Sequence, residues 1–389
     1  MRETNTSTRK LFWITPTWGG SPAWRLGDLR NVVAELITRG HNLTILTARA
    51  ADDAPYPERT RTSAEKPLRP ETRALIQFAN WARDEISQTP DALSISLSPL
   101  VAADIMIPTQ GLRAVTLKRQ RQHLSAARRR LRQLLHHASP RQVRLRQLER
   151  KAMTRQSTHT LIALNQDIWQ QIANDPYAPS SPTHTLATPL SLPDLDQATA
   201  RQTRAQLRHA YRIPEGHAIL LYTSMRPDED RWPLILDAFN RYHRSHPECV
   251  LLVATWVGYR LNQSIADRGC RDAVRLIGIP SRLPELIAAA DLVIQPSVDP
   301  AADLLPPLSL SLAPRLLTSN TSADAYPLKD PRQAMAALPS NATPESTAAA
   351  IRSLLETDPA AWPRTATDDI CQTVSDFTSQ LEAQIHAIK

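Results

Sequence analysis

VRLIGIPSRLPELIAAADLVIQPS (residues 274–297) places a strand, a helix and a second strand in one short stretch. The apolar runs VRLIG and DLVIQ are typical of buried strands, and the segment SRLPELIAAA between them is typical of a helix. A strand, a crossover helix and a second strand form a βαβ unit, in which the two strands run parallel in one sheet. This stretch therefore predicts an α/β fold.

The same alternation continues on both sides of this stretch. Further strands are predicted from the apolar runs AILLYTS (218–224), CVLLVAT (249–255) and RLLTS (315–319). Helices are predicted between and beyond them, the last over residues 367–387. The economical interpretation is a doubly wound, Rossmann-like domain over residues 191–366, with the C-terminal helix of residues 367–389 packing back on another domain.

The first half of the chain repeats this pattern. KLFWITPTWGG (10–20) predicts a strand that enters a loop, SPAWRLGDLRNVVAELITRG (21–40) has helical spacing, and HNLTILTA (41–48) predicts a second strand. A proline-rich segment at 174–194 marks the boundary of a first domain over residues 1–190. We therefore expect two doubly wound domains with parallel sheets, and a ligand in the cleft between them.

The composition limits the class of protein. The 389 residues are 42% hydrophobic and 22% charged, which is typical of a globular protein. Three widely spaced cysteines exclude a disulfide framework and offer no zinc-type pairing. No apolar run is long enough to cross a membrane, and the run at residues 11–15 is too short for a signal peptide. We expect a cytoplasmic protein without a metal.

The positive charge is concentrated in one segment, the basic arm at about residues 112–155. Between Lys118 and Arg155 there are 13 basic residues and one acid, Glu149. LKRQRQHLSAARRRLRQLLHH (117–137) predicts a helix with leucines seven residues apart and basic opposite faces.

Three interpretations of the basic arm remain open. It is a solvated helix docked by its leucines, a surface for nucleic acid, or a surface for anionic membrane over residues 117–151. No aromatic residues interleave the arginines, so base stacking is unsupported and nucleic acid is the less favoured partner. The charge by itself does not decide between a membrane surface and nucleic acid.

Several segments occur in the order and spacing of the GT-B glycosyltransferases. ILLYTSMRPDEDRWPLILDAF (219–239), HPECVLLVATW (246–256) and residues 274–297 resemble the donor-binding domain of glycosyltransferase family 4. Residues 15–48 resemble that family's amino-terminal Gly-Gly loop and the strand after it. The resemblance implies GT-B architecture and transfer of a hexose-type sugar from a nucleotide-sugar donor to a glycan or lipid-linked acceptor. It also implies a retaining reaction without a metal or resident cofactor. Because glycosyltransferases of this kind often act on lipid-linked acceptors at a membrane face, the resemblance favours peripheral attachment to the inner face of a membrane.

The leaving diphosphate of such a reaction gathers negative charge, which fixed cations stabilise. Arg226 stands at the family's arginine and Arg231 at or beside its lysine, so both are candidate catalytic residues. The alternative is that RPDEDR is a solvated turn with internal ion pairs. Gly19 and Gly20 are candidates for an acceptor or phosphate loop, and the alternative there is a plain βα turn.

The loop after residue 297 departs from the family. The family has two glutamates eight positions apart there, and this chain has Asp299 and Pro307. Asp299, Ser297 and Ser224 are the donor-binding candidates, whereas the side chain of Pro307 forms no hydrogen bond; Asp303 and Ser309 are candidate substitutes. A catalytically inactive GT-B protein that binds a nucleotide or glycan is therefore a second hypothesis, and a nucleic-acid-binding protein is a third.

Overall fold

The computed structural model divides the chain into two compact units. The first contains Met1–Pro189 and Gln372–Lys389, and the second contains Leu190–Cys371. The structure describes residues 10–19, 29–63, 72–109, 111–122, 130–131, 139–154, 158–175, 182–190, 197–224, 227, 230–255, 258–278, 283–297, 305–325, 335–357 and 371–388.

The first unit contains a sheet of seven parallel strands. In chain order they are β1 (Lys10–Trp18), β2 (Asn42–Ala50), β3 (Thr60–Thr62), β4 (Leu93–Ser96), β5 (Ile105–Met106), β6 (Thr160–Ala163) and β7 (Thr183–Thr185). The order across the sheet is β3-β2-β1-β4-β5-β6-β7. A short strand β8 (Thr188–Pro189) follows outside this sheet. The chain thus builds outward from β1 in one direction and returns to build outward from β4 in the other.

In the described part of the first unit, five helices of eight or more residues lie between these strands. They are α1 (Leu29–Thr38), α2 (Thr72–Ser87), α3 (Arg113–Gln122), α4 (Pro140–Ala152) and α5 (Gln166–Ala173). One apolar cluster joins Phe12 and Ile14 of β1 to Phe78 of α2 and Leu145 of α4. Helix α5 starts where Asn165 accepts a hydrogen bond from the Ile168 N–H at 2.8 Å, a side-chain cap that satisfies one of the free N–H groups of its first turn.

The second unit contains six parallel strands. They are β9 (Ala218–Thr223), β10 (Cys249–Ala254), β11 (Val274–Leu276), β12 (Leu292–Gln295), β13 (Leu316–Ser319) and β14 (Met335–Leu338). Their order is β11-β10-β9-β12-β13-β14, so the direction of winding reverses between β9 and β12. The predicted fold class, two doubly wound domains with parallel sheets, is confirmed.

Seven helices accompany this second sheet among the residues that the structure describes. They are α6 (Gln197–Tyr211), α7 (Trp232–Ser245), α8 (Gly258–Asp267), α9 (Leu283–Ala289), α10 (Leu305–Leu312), α11 (Asn320–Ala325) and α12 (Pro344–Glu356). Residues of α7, α8 and α12 form one buried cluster with Tyr222 of β9 and Val253 of β10. Because side chains alternate along a strand, this cluster lies on one face of the sheet, and Thr223 points to the other.

The chain ends with β15 (Cys371–Gln372) and α13 (Val374–Ala387), and α13 lies in the first unit. There Glu382 accepts a hydrogen bond from Arg39 at 2.6 Å and lies 2.8 Å from Nε2 of His41. Strand β15 pairs with β8. The C-terminal helix is therefore fastened to the end of α1 by charge as well as by packing.

Candidate functional site

In a doubly wound sheet, ligands bind outside the carboxyl ends of the strands where the winding reverses. In the second unit this place lies at the ends of β9 and β12. Thr223 is the last residue of β9, and Thr255 follows the last residue of β10. The Ser224 N–H donates to the Ala254 carbonyl at 3.3 Å, which continues the pairing of β9 and β10 by one residue. Ser224 and Thr255 therefore sit side by side at this edge.

A buried carboxylate holds the turn between β9 and α7. The Ser224 hydroxyl donates to Asp230 Oδ2 at 2.6 Å, and both residues are buried. The Tyr222 hydroxyl donates to the Asp230 carbonyl at 3.4 Å. These bonds fix the residue immediately before Arg231. Ser224, expected as a donor-binding residue, thus has a defined place at the edge, where it orients the start of α7.

Arg231 caps the amino terminus of α7 in a left-handed conformation, with φ 57°. Its Nη1 donates to the Pro339 carbonyl at 2.6 Å, just beyond β14. Its Nε is buried and has no hydrogen-bond partner among the described residues. Burial lowers the pKa of Arg231, and the nearby Asp230 carboxylate opposes that change. A guanidinium held at a helix amino terminus presents two sources of positive potential to an anion.

The segment after β12 is fastened to β13 by hydroxyl groups. Thr318 Oγ1 donates to the Gln295 carbonyl at 2.9 Å, and the Ser319 hydroxyl donates to the Ser297 carbonyl. Ser297 is buried two residues beyond the end of β12, and its role in donor binding stays a prediction. Asp299, Asp303, Arg226 and Gly20 lie outside the described residues, so their roles stay predictions.

Helix α10 begins before the Pro-Pro pair. Pro306 and Pro307 occupy its first turn, where proline is tolerated because the N–H groups there have no partner within the helix. The Pro307 carbonyl accepts a hydrogen bond from Ser311 at 2.8 Å. Ser309 is fully buried, and its hydroxyl has no partner among the described residues.

At the carboxyl edge of the first unit, residues 51–55 pack against the end of β1. Gly19 has φ +78°, and a Cβ there would lie 2.7 Å from Cα of Ala54. The Trp18 indole N–H donates to the Pro55 carbonyl at 2.8 Å, and the Ala51 N–H donates to the Trp18 carbonyl at 2.8 Å. The approach of residues 51–55 therefore requires a glycine at position 19 whether or not a ligand binds. Its role in a phosphate loop stays a prediction.

The base of the basic arm is docked through polar contacts. Glu149 Oε1 accepts a hydrogen bond from the Arg113 N–H at the start of α3, at 2.8 Å. Arg119 donates to Asp167 of α5 at 2.8 Å. Glu149 is only 5% exposed, and burial raises its pKa to about 7. The arm's single acid is thus withdrawn from solvent.

The predicted leucine stripe of the arm is described only in part. Leu131 is 59% exposed, whereas the buried leucines in the described part of the arm are Leu112 and, in α4, Leu145 and Leu148. The hypothesis that the seven-residue leucines dock the arm is therefore wrong at Leu131. Helical spacing in the sequence showed that one face is apolar but not which helix supplies the docking side chains.

Sequence analysis missed three residues that shape the two edges: Asp230, Thr255 and Ala54. Asp230 was considered only as part of a charged turn, because hydrogen bonds across a turn leave no spacing signal. Thr255 had a signal, a hydroxyl at the end of an apolar run. Ala54 had none.

The described residues contain no group of three or more histidine, cysteine, aspartate or glutamate side chains arranged to hold a metal ion. Within the same part of the chain, no helix combines the length and the apolar character that a membrane span requires.

No family model and no curated protein matches the sequence. Solved structures match its fold. WaaG, a glycosyltransferase involved in lipopolysaccharide biosynthesis, aligns with a TM-score of 0.75 and 14% identity over 95% of this chain and 98% of that one. HepE from Anabaena, in complex with UDP and glucose, aligns with a TM-score of 0.66 and 13% identity over 98% of this chain and 100% of that one.

Trehalose 6-phosphate synthase from Burkholderia multivorans gives a TM-score of 0.63 and 9% identity, over 98% of this chain and 97% of that one. At these identities the likeness establishes the fold alone, and that fold is the one shared by GT-B glycosyltransferases.

Proposed function

We propose that the chain is a GT-B glycosyltransferase, related to glycosyltransferase family 4, that moves a hexose-type sugar from a nucleotide-sugar to a glycan or lipid-linked acceptor. The carboxyl edge of the second unit carries the proposal. There Arg231 stands at the amino terminus of α7 with a buried Nε that lacks a partner among the described residues. Residues 191–366 would bind the donor, and residues 1–190 the acceptor.

The chemistry assigned to this edge is stabilisation of a leaving diphosphate. Charge that develops on the phosphate oxygens is stabilised by Arg231, by Arg226 and by the N–H groups at the start of α7. In a retaining reaction the leaving diphosphate itself helps to take the acceptor's proton. That scheme needs no metal and no dedicated side-chain base.

The structures of similar fold support a nucleotide-sugar as the donor, since HepE was solved with UDP and with UDP-glucose. The test is a thermal-shift and calorimetric screen of nucleoside diphosphates and their sugar conjugates, followed by assays of donor hydrolysis and transfer. Saturable binding of a nucleoside diphosphate is expected. Absence of binding to every nucleoside diphosphate would refute the proposal.

The second candidate function is binding without turnover. It is favoured by α10, where Pro307 occupies a position at which the family has a glutamate. Such a protein would bind the nucleotide-sugar or a glycan and leave the donor intact. Donor hydrolysis above the uncatalysed rate separates the two candidates.

We further propose that the arm over residues 117–151 attaches the protein to anionic lipid on the cytoplasmic face of a membrane. The burial of Glu149 supports this, because it leaves the arm without an exposed acid. Each basic residue near an anionic surface contributes about 1 kcal/mol to binding. The arm would also bring the enzyme to a lipid-linked acceptor.

The prediction is that the protein sediments with vesicles that contain acidic lipid, and that salt weakens this binding. Replacing Arg128, Arg129, Arg130 and Arg132 with glutamine should abolish sedimentation, while the same number of changes at Arg201, Arg241, Arg244 and Arg271 in the second unit should not. Equal binding to neutral vesicles, or tighter binding to RNA or DNA at physiological salt, would contradict it.

A further inference from the structure

Two threonines at the carboxyl edge of the second unit carry buried hydroxyl groups without hydrogen-bond partners among the described residues. Thr223 is 1% exposed and Thr255 is 4% exposed. A buried hydroxyl that has lost water and gained no partner costs folding free energy. Valine has nearly the same shape and carries no such cost. The retention of threonine at both strand ends is therefore not explained by packing.

The two hydroxyls lie at the ends of the neighbouring strands β9 and β10, and β9 is one of the two strands between which the winding reverses. Thr223 pairs in register with Ala254, the residue before Thr255, so the two threonines are diagonal neighbours on adjacent strands. Their side chains alternate to opposite faces of the sheet. A group that sits across the ends of β9 and β10 would meet one hydroxyl from each face.

The residues around the two threonines indicate which kind of ligand group would bind there. Ser224, beside Thr255, already bonds Asp230, so its hydroxyl completes the α7 turn. Arg231 follows Asp230 and has a buried Nε without a partner in the described chain. Among the described residues at the ends of β9 and β10 and at the start of α7, the groups without partners are two hydroxyls, which can donate, and one N–H of a cation. Phosphate oxygens accept hydrogen bonds and carry negative charge, which matches this set better than a sugar hydroxyl does.

We propose that Thr223 and Thr255 form a phosphate seat, in which their hydroxyls donate to oxygens of the donor's diphosphate next to Arg231. The inference rests on the proposed function and deepens it, because it assigns the two strand ends to the diphosphate and not to the sugar or the base. In the unliganded protein the seat is destabilising, and the diphosphate supplies the missing partners.

The experiment compares the wild type with Thr223→Val and Thr255→Val in the full chain. Without ligand, each valine variant should melt about 2 °C higher, because a buried hydroxyl without a partner has been removed. With ligand, each should bind inorganic pyrophosphate and UDP about tenfold more weakly, measured by calorimetry. Thr223→Ser and Thr255→Ser keep the hydroxyl and should retain most of the affinity.

Thr47→Val in the first unit is the matched control. Thr47 is equally buried, but its hydroxyl donates to the Arg49 carbonyl at 3.0 Å. This variant should melt lower than the wild type and bind pyrophosphate with unchanged affinity. The melting temperature should therefore rise in the valine variants of Thr223 and Thr255 and fall in Thr47→Val. This difference in sign distinguishes a buried hydroxyl without a partner from one that is already hydrogen-bonded.

Two results would overturn the seat. Wild-type pyrophosphate affinity in both valine variants would show that the hydroxyls do not touch phosphate. Lower melting temperatures in both would show that the hydroxyls are already bonded within the protein. If the wild type binds neither pyrophosphate nor any nucleoside diphosphate, the proposed function fails together with the seat.

Discussion

The two sheets share a strand order at their centres, yet their carboxyl edges differ in how hydroxyl groups are used. In the first unit, Ser96 ends β4, and Thr15 and Thr47, which pair in register, lie three residues before the ends of β1 and β2. Each of the three hydroxyls donates to the carbonyl two residues further on, at 3.1 Å for Thr15, 3.0 Å for Thr47 and 2.9 Å for Ser96. In the second unit, Thr223 and Thr255 have no such bond among the described residues.

The order of the central strands cannot account for this difference, because it is the same in both sheets. The edge of the first unit satisfies its own polar groups and is closed further by Ala54 against Gly19. Within the described part of the second unit, the hydroxyls of Thr223 and Thr255 have no partners, and Arg231 caps the helix that follows β9. The proposed phosphate seat would account for this contrast, since buried donors without partners cost stability when no ligand is bound.

The largest expected effect concerns a buried polar group of the first unit that lies away from the carboxyl edge, the carboxyl group of Glu149. The pKa of Glu149 is raised to about 7 from 4.5, so the folded chain holds the proton more tightly than the unfolded chain. Stability from this group is therefore full below pH 4.5 and is lost as the pH rises through about 7. Glu149→Gln keeps the acceptor for the Arg113 N–H and removes the charge.

This variant should be more stable than the wild type at pH 8 by up to about 3 kcal/mol, and equally stable near pH 4.5. Urea denaturation at both pH values measures the difference. Glu58→Gln, an exposed position, is the control and should change little. A variant that is less stable at pH 8 would show that Glu149 is stabilising as a charge.

The next effect concerns the open edge itself. Arg231→Ala should weaken binding of a nucleoside diphosphate at least about tenfold, because a charged hydrogen bond to phosphate is lost. Arg231→Lys should lose less affinity, because lysine keeps the positive charge, although it lacks the paired N–H groups with which a guanidinium binds phosphate. Both variants lose the bond to the Pro339 carbonyl, so their melting temperatures should fall alike. Arg226→Ala is expected to match Arg231→Ala in calorimetry, and unchanged affinity in both alanine variants would remove the pair from the site.

Much of the fold could be predicted from the sequence because the central strands are continuous apolar runs. β9, β10 and β12 are buried on both faces, so almost every side chain is apolar and the run itself is the signal. β5 has two residues and β14 reads MAAL, so neither has the length or the β-branched residues that mark a strand.

The position of the candidate site could be predicted from the sequence, but the hydrogen-bond partners of its residues could not. The end of a strand and the start of a helix locate Ser224 and Arg231 in the sequence. The bond from Ser224 to Asp230, and that from Arg231 to Pro339 across 108 residues, depend on how the chain folds back on itself. The absence of partners at Thr223 and Thr255 is likewise a property of packing, and no spacing in the sequence reports it.

The most direct test of the central claim is amide hydrogen exchange with and without saturating UDP, read separately at the two edges. The account predicts slowed exchange in peptides that cover residues 224–232 and 255–260, with a much smaller change in peptides that cover residues 47–55 and 97–101. Slowing confined to the peptides of the first unit, at UDP concentrations that saturate binding, would contradict the claim that the second edge is the one left open for the nucleotide.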